Sequence, residues 1–219
     1  WYVSPAVYDQ KWRLYSNKNS NDLYQRATRF NITLDLPQEF QVNTELDIID
    51  STISKGIKTL SLSGDQRIKA TLFLGKTKIF ETFIINDLEV QSNLSKSNIT
   101  SAMRAITLDR MVFFLDQKVG SYPFKKIVIS DEDTKNNPVY GLNQLPGFLS
   151  PFPTGFEYDI TQFKTLSRTY LENTLLLDPR KDVWLFGALQ IYLMMEYVNT
   201  YYPKMKVLGS LSDFWIIRW

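Results

Sequence analysis

The segment from Asp159 to Tyr202, DITQFKTLSRTYLENTLLLDPRKDVWLFGALQIYLMMEYVNTYY, is the most strongly patterned part of the chain, and the remainder is read around it. Ile160, Phe163, Leu166, Tyr170, Leu171 and Leu175 recur at the three-and-four spacing of one helix face. Asp159 or Thr161 is expected to cap its start. Asp178 followed by Pro179 opens a second helix, and Pro203 stops it. The pattern predicts two consecutive helices, 160–177 and 180–201, joined by a tight turn. Within the second, VWLFGALQIYLMM is apolar nearly all round. A run that short cannot cross ~30 Å of hydrocarbon, which takes ~20 residues. It is expected to be a buried core helix, and no transmembrane segment is expected in this chain.

Upstream the periodicity changes. RFNITLDL, ELDIIDSTI, IKTLSLSG, IKATLFLG and KIFETFIIN, between residues 29 and 91, are short alternating runs punctuated by Gly56, Gly64 and Gly75. That is the signature of antiparallel strands in a sandwich or open barrel. The polar stretch QSNLSKSN at 91–98 has no apolar period and reads as a linker. Ile99, Met103, Ile106, Met111, Phe114 and Leu115 then predict a helix over 99–118, closed by Gly120, and GSYPFKKIVIS leads through a turn into a strand. The fold class expected is α+β: an antiparallel β-sandwich-like domain over 1–95, followed by a mainly helical domain over 96–219.

Composition excludes several functions. The 219 residues carry a net charge of +2, with no basic run or aromatic-interleaved basic stripe, so nucleic acid is not an expected partner. There is no cysteine and no histidine, which removes disulfides, thiol chemistry and any Ser-His-Asp or Cys-His arrangement. No glycine loop of the phosphate-cradling type is present. Asp131, Glu132 and Asp133 resemble the start of a calcium loop, but Lys135 stands where the next ligand belongs, and a solvated acidic turn is expected. Aromatic residues within 1–26 suit either rim packing of a β domain or sugar binding, with packing favoured because aromatics dominate cores by area. Asn31, Asn93 and Asn98 begin N-x-S/T sequons and read as chance matches. No signal peptide is legible at Trp1, and the numbering is expected to start after processing or within a longer polypeptide.

The helix pair resembles zinc aminopeptidases of the thermolysin-like (gluzincin) class, the aminopeptidase-N-like family. These carry H-E-x-x-H-x-W-F-G-N on one helix and, after eighteen further residues beyond the second histidine, a glutamate in W-L-x-E-G-x-x-x-Y-L. Here KTLSRTYLEN occupies 164–173 and WLFGALQIYL occupies 184–193. Aligned on Tyr170 and Asn173, the histidine positions hold Lys164 and Arg168, and the glutamate position holds Thr165. After Arg168 and eighteen intervening residues stands Gly187, and Trp184, Leu185, Tyr192 and Leu193 then fall on their counterparts. Gly120, Tyr122, Pro123, Phe124 and Lys126 match the family's G-x-Y-P-[FY]-x-K turn, which feeds a strand along the cleft. Gly141 to Pro146 take the places of G-A-M-E-N-P, putting Gln144 where a glutamate binds the substrate's free amine. An amide there keeps one hydrogen bond and loses the charge that makes it strong. The resemblance implies an N-terminal β domain before a partial thermolysin-like domain, and a bacterial periplasmic or envelope setting.

The chemistry of these positions differs from the family's. A catalytic zinc needs three ligands drawn from imidazole, thiolate or carboxylate, plus one open position. Two fixed cations a helical turn apart repel a divalent metal, and threonine has no accessible pKa for general-base work. Neither zinc nor a catalytic residue is therefore expected. Glu172 lies one turn beyond Arg168, at the spacing of an ion pair. Two readings of the site follow: the cations fill the vacated hole as a salt-bridged cluster, or Gly141, Asn143, Gln144, Lys164, Arg168 and Glu172 line a remnant cleft for a peptide or partner loop. For the whole chain, the expectation is an inactive aminopeptidase-like binding or scaffold component, working with a protein partner or a continuation of a longer chain. The alternative is an active metallopeptidase completed outside these residues, or a hydrolase using a carboxylate pair, for which no spacing selects the pair.

Overall fold

The computed structural model describes residues 7–12, 26–77, 80–96, 98–140, 152–153, 155–176 and 182–203. Strands β1 (Tyr8–Asp9) and β2 (Lys11–Trp12) form a small antiparallel pair. Then follow β3 (Thr28–Pro37), β4 (Gln41–Thr44), β5 (Asp47–Ser54), β6 (Ile57–Arg67), β7 (Leu72–Gly75), β8 (Glu81–Ile85) and β9 (Leu88–Ser92). The remaining elements are α1 (Ser101–Val119), β10 (Lys126–Ile129), α2 (Asp131–Asn136), α3 (Phe156–Leu175) and α4 (Val183–Tyr201). An antiparallel-sheet region followed by helices is the α+β class expected.

β3, β6 and β5 make an antiparallel sheet in that order, and β4 pairs antiparallel with β7. Alternation places Leu60 and Leu62 of β6 on the inner face, where they pack with Leu36, Leu46 and Ala70. A Cβ added to Gly64 would lie 2.5 Å from Leu46 Cδ2, so glycine lets the leucine close this small core. The β5–β6 hairpin turns through Lys55 (φ 50°) and Gly56 (φ 79°), the left-handed pair that two-residue turns require.

The second core is larger and holds the helices. β8 and β9 form a hairpin, and β10 adds to β9 in parallel. Phe83, Ile85 and Val90 of this sheet pack with Leu108, Met111 and Leu115 of α1 and with Phe163, Leu166 and Tyr170 of α3. In sequence the small core ends at Leu72 and the larger one begins at Phe83. β4 and β9 escaped the sequence pattern, and β9 takes in Gln91 and Ser92 of the stretch read as linker. Ser92 is fully buried, so a polar pair of letters belongs to a core strand.

The helix starts show where caps decide and where packing does. α1 starts at Thr100, whose side chain accepts from Met103 N–H, and ends at Gly120 (φ 104°), as its glycine suggested. α3, however, starts one turn earlier than predicted, at Gly155 (φ 86°). Phe156 is buried there, stacked on Phe152 at 5.2 Å, and apolar burial outweighs the capping preference of Asp159 or Thr161. The acidic run 131–133 is the first turn of α2 rather than a bare turn: Ser130 and Asp133 form a reciprocal capping box, and Lys135 pairs with Asp131 and Glu132.

α4 corrects the expectation of a buried core helix. Gln190, Leu193 and Tyr197 face α3 and are buried, whereas Trp184, Ile191, Tyr192 and Met195 are more than half exposed among the described residues. One packed face is all that an antiparallel partner helix can cover. Asp178 and Pro179, expected to open this helix, lie outside the described residues; its described N-cap is Asp182. Among the described residues, no helix is long and apolar enough to cross a membrane.

Candidate functional site

The stripe formed by Lys164, Arg168 and Glu172 runs down α3, and α4 lies against it. Gln190 Nε2 donates to the Lys164 carbonyl oxygen at 2.9 Å, and the Arg168 guanidinium sits over the Phe186 ring at 5.7 Å. Gly187 follows Phe186, so the two motif segments lie against each other. A Cβ at Gly187 would meet no atom within 4 Å.

Each side chain of the stripe has a definite partner. Lys164 Nζ donates to the Pro138 carbonyl at 2.8 Å. Burial and the neighbouring Arg168 both push its pKa down, as desolvation and a like charge must. Thr165 is buried and its Oγ1 donates to Thr161 O at 2.9 Å, so the hydroxyl is spent on its own helix. Arg168 Nε donates to Glu172 Oε1 at 3.0 Å, the pair its spacing predicted. Glu172 Oε2 receives Lys69 Nζ at 2.6 Å. Burial alone would raise the Glu172 carboxyl, but Lys69 and Arg168 together hold it below the ordinary carboxylate range.

The turn after α1 joins the same neighbourhood. Tyr170 OH donates to the Gly120 carbonyl at 2.8 Å, and Asn173 Nδ2 donates to Tyr122 OH at 2.8 Å. The Tyr122 and Tyr170 rings lie 5.1 Å apart, so the two stretches that carry the resemblance pack on each other. Burial pushes the Tyr170 hydroxyl up to about 12. Gly141, Asn143 and Gln144, expected along a remnant cleft, lie outside the described residues.

Sequence reasoning missed a set of buried charges beside this stripe. Arg67 is 3% exposed, with its guanidinium 3.4 Å from the Phe124 ring centroid and its Nε and Nη1 without hydrogen-bond partners. Its desolvation lowers its pKa. Glu45 is also buried and accepts from Thr71 N–H at 3.0 Å; burial raises its pKa. Arg67 and Glu45 come from the β region, far from α3 in sequence, and no local pattern marks a strand-flanking arginine or glutamate as buried.

Asp159 was also misread. Rather than capping α3, its carboxylate turns into the core, where Arg110 Nη2 donates at 2.6 Å and Tyr197 OH at 3.0 Å, with Tyr202 OH a further donor. Three donors satisfy a carboxylate that is 3% exposed. Among the described residues, no group of three Asp, Glu, His or Cys could hold a metal ion. Lys164, Thr165 and Arg168 add two cations and an occupied hydroxyl, none of them a metal donor.

Neither a protein-family model nor a curated protein sequence matches the chain. Its fold is similar to that of an M1 zinc metallopeptidase from Deinococcus radiodurans, with a TM-score of 0.51 and 15% identity over 80% of this chain and 41% of that chain. A mutant of that enzyme bound to a Tyr-Ser-Ala substrate matches with a TM-score of 0.52 and 14% identity over the same shares. A two-domain M1 zinc metallopeptidase mutant bound to L-arginine matches at 0.51 and 16%, again over 80% and 41%. At such identities the likeness is one of fold, and the chain spans less than half the length of these structures.

Proposed function

We infer that this chain is an aminopeptidase-like protein without zinc chemistry, which serves as a binding or scaffold component with a partner protein or further polypeptide. The observation that carries this reading is the pairing of Lys164 and Arg168 on one face of α3 beside Gly187. On the M1-like fold, the resemblance puts zinc ligands at these three positions and the general base at Thr165. Two guanidinium- and ammonium-type cations in place of imidazoles repel a divalent ion, and a glycine supplies no third donor. With no histidine or cysteine in the chain, only carboxylates remain as ligands, and these favour hard cations over zinc. The residues present do not fit the metal.

The cluster geometry favours a filled hole over an open cleft. Lys164 turns to Pro138, and Glu172 is shared by Lys69 and Arg168. Lys164 and Arg168, the cations available to a peptide carboxylate, each already have an internal acceptor. Binding would then fall to other surfaces of the fold.

Elemental analysis of the purified chain, together with a panel of aminoacyl-nitroanilides, tests the reading. Less than one tenth of an equivalent of zinc and no chelator-sensitive turnover are expected. Stoichiometric zinc with turnover abolished by a chelator would overturn it and favour a site completed by residues outside this chain.

A further inference from the structure

β5 ends the sheet of β3, β6 and β5, and among the described residues no strand lies on its outer side. Every one of its residues is exposed, and Ile49 and Ile53 are more than half so. Proteins commonly blunt such an edge by keeping it short or by placing lysine or proline on it. β5 runs for 8 residues and holds neither. Its bulge lies between Ile48 and Asp50, and from Asp50 to Ser54 the register with β6 is regular.

The unused hydrogen-bonding groups of this edge follow from the hairpin. Ser54 lies opposite Ile57 across the two-residue turn of Lys55 and Gly56. The pair flanking such a turn is hydrogen-bonded, so alternation turns the N–H and C=O of Ser54 and Thr52 toward β6 and those of Ile53 and Ser51 outward. Among the described residues, no backbone hydrogen bond outside the β5–β6 ladder reaches them.

The order of charges selects what can pair there. Asp47 and Asp50 stand in the first half of β5, and Lys55 stands just past its end. A second copy of β5, laid antiparallel so that Ser51 meets its own counterpart, puts Ile49 opposite Ile53 and Asp47 opposite Lys55, each twice by symmetry. Centring the pair on Asp50 sets two carboxylates face to face, and centring it on Thr52 leaves Asp47 with no cation opposite. We propose that β5 is the interface of a two-fold homodimer, in which two copies pair antiparallel about Ser51 and join their sheets into one. Such a dimer would form whether or not the chain holds zinc.

Sedimentation equilibrium of the full chain, from micromolar to submillimolar concentration, tests this. A monomer–dimer equilibrium is expected, and Ser51→Pro should weaken it about ten-fold or more, because it removes an outward N–H that the β5–β6 ladder does not use. Asp47→Lys and Lys55→Asp should each weaken it several-fold, and the two together should restore it. If Ser51→Pro does not fold by circular dichroism, Ile53→Lys takes its place and should weaken the dimer likewise. A chain that stays monomeric throughout, a dimer indifferent to the β5 variant, or a charge exchange that fails to restore association would overturn the proposal. Assembly beyond a dimer, or an edge that pairs only with a different polypeptide, would do the same.

Discussion

Lys69 and Glu172 meet across the join between the two cores, the ammonium nitrogen 2.6 Å from Oε2, while Arg168 holds the other oxygen at 3.0 Å. A lysine from the β region thus fixes the second half of α3. The carboxylate side chain is 20% exposed and its lysine partner 42%, which places the pair between the surface and buried regimes.

Glu172→Ala is expected to destabilise the chain by about 2 kcal/mol, because it strands two cations near a low-dielectric join. Lys69→Ala should cost less, about 1 kcal/mol, since Arg168 still compensates the carboxylate. Urea unfolding of both single variants and the double variant gives the coupling. A coupling of zero would show that the contact is geometric only.

Glu172 and Glu45, two carboxylates of this region, give opposite pH signs. Glu172 is held below its ordinary value of 4.5, so its contribution is present above that pH and is lost as pH falls through the lower folded value. Glu45 is raised from 4.5, so its stabilisation is complete below that pH and disappears as pH rises through the higher folded value. Glu172→Gln should flatten the acid limb of the stability curve, and Glu45→Gln the fall above it. Denaturant midpoints measured across pH check both, and a curve unchanged by either variant would contradict the assignment.

Gly187 sits inside α4 with open space around its missing Cβ. Gly187→Ala should therefore raise stability by about 0.5–1 kcal/mol, the helix-interior cost of glycine relative to alanine. Thermal unfolding should show a small upward shift. A loss of stability would mean that α4 packs more closely there than the described residues indicate.

The Asp159 carboxylate answers to three donors in a closed core. Asp159→Ala is expected to cost about 3 kcal/mol by leaving the Arg110 guanidinium without its carboxylate. Tyr202→Phe should cost about 1 kcal/mol, one hydrogen bond of three. Chemical denaturation measures both, and equal effects would point to packing rather than hydrogen bonding as the cause.

The helix pair was legible because its signal is local. Phe163, Leu166, Tyr170 and Leu171 are buried as their spacing said, and Arg168 does pair with Glu172. Gly120 closes α1 for the same reason, a steric demand that one residue type meets. Where local preference competed with long-range packing, the reading failed. Asp159 looked like a cap until Arg110, Tyr197 and Tyr202 drew its carboxylate inward, and Ser92 looked like linker until β10 paired beside it.

By its letters alone the chain determined that these 219 residues carry no imidazole and no thiol, and that a lysine, an arginine and a glycine stand at 164, 168 and 187. It also determined an α+β order of elements, since turn residues and hydrophobic period act over a few neighbours. Only the tertiary structure decided that Lys69 neutralises Glu172, that Arg67 and Glu45 are buried beside it, and that Asp159 meets Arg110, Tyr197 and Tyr202. Burial and ion pairing depend on groups brought together from distant parts of the chain, and no local spacing encodes which of them will meet.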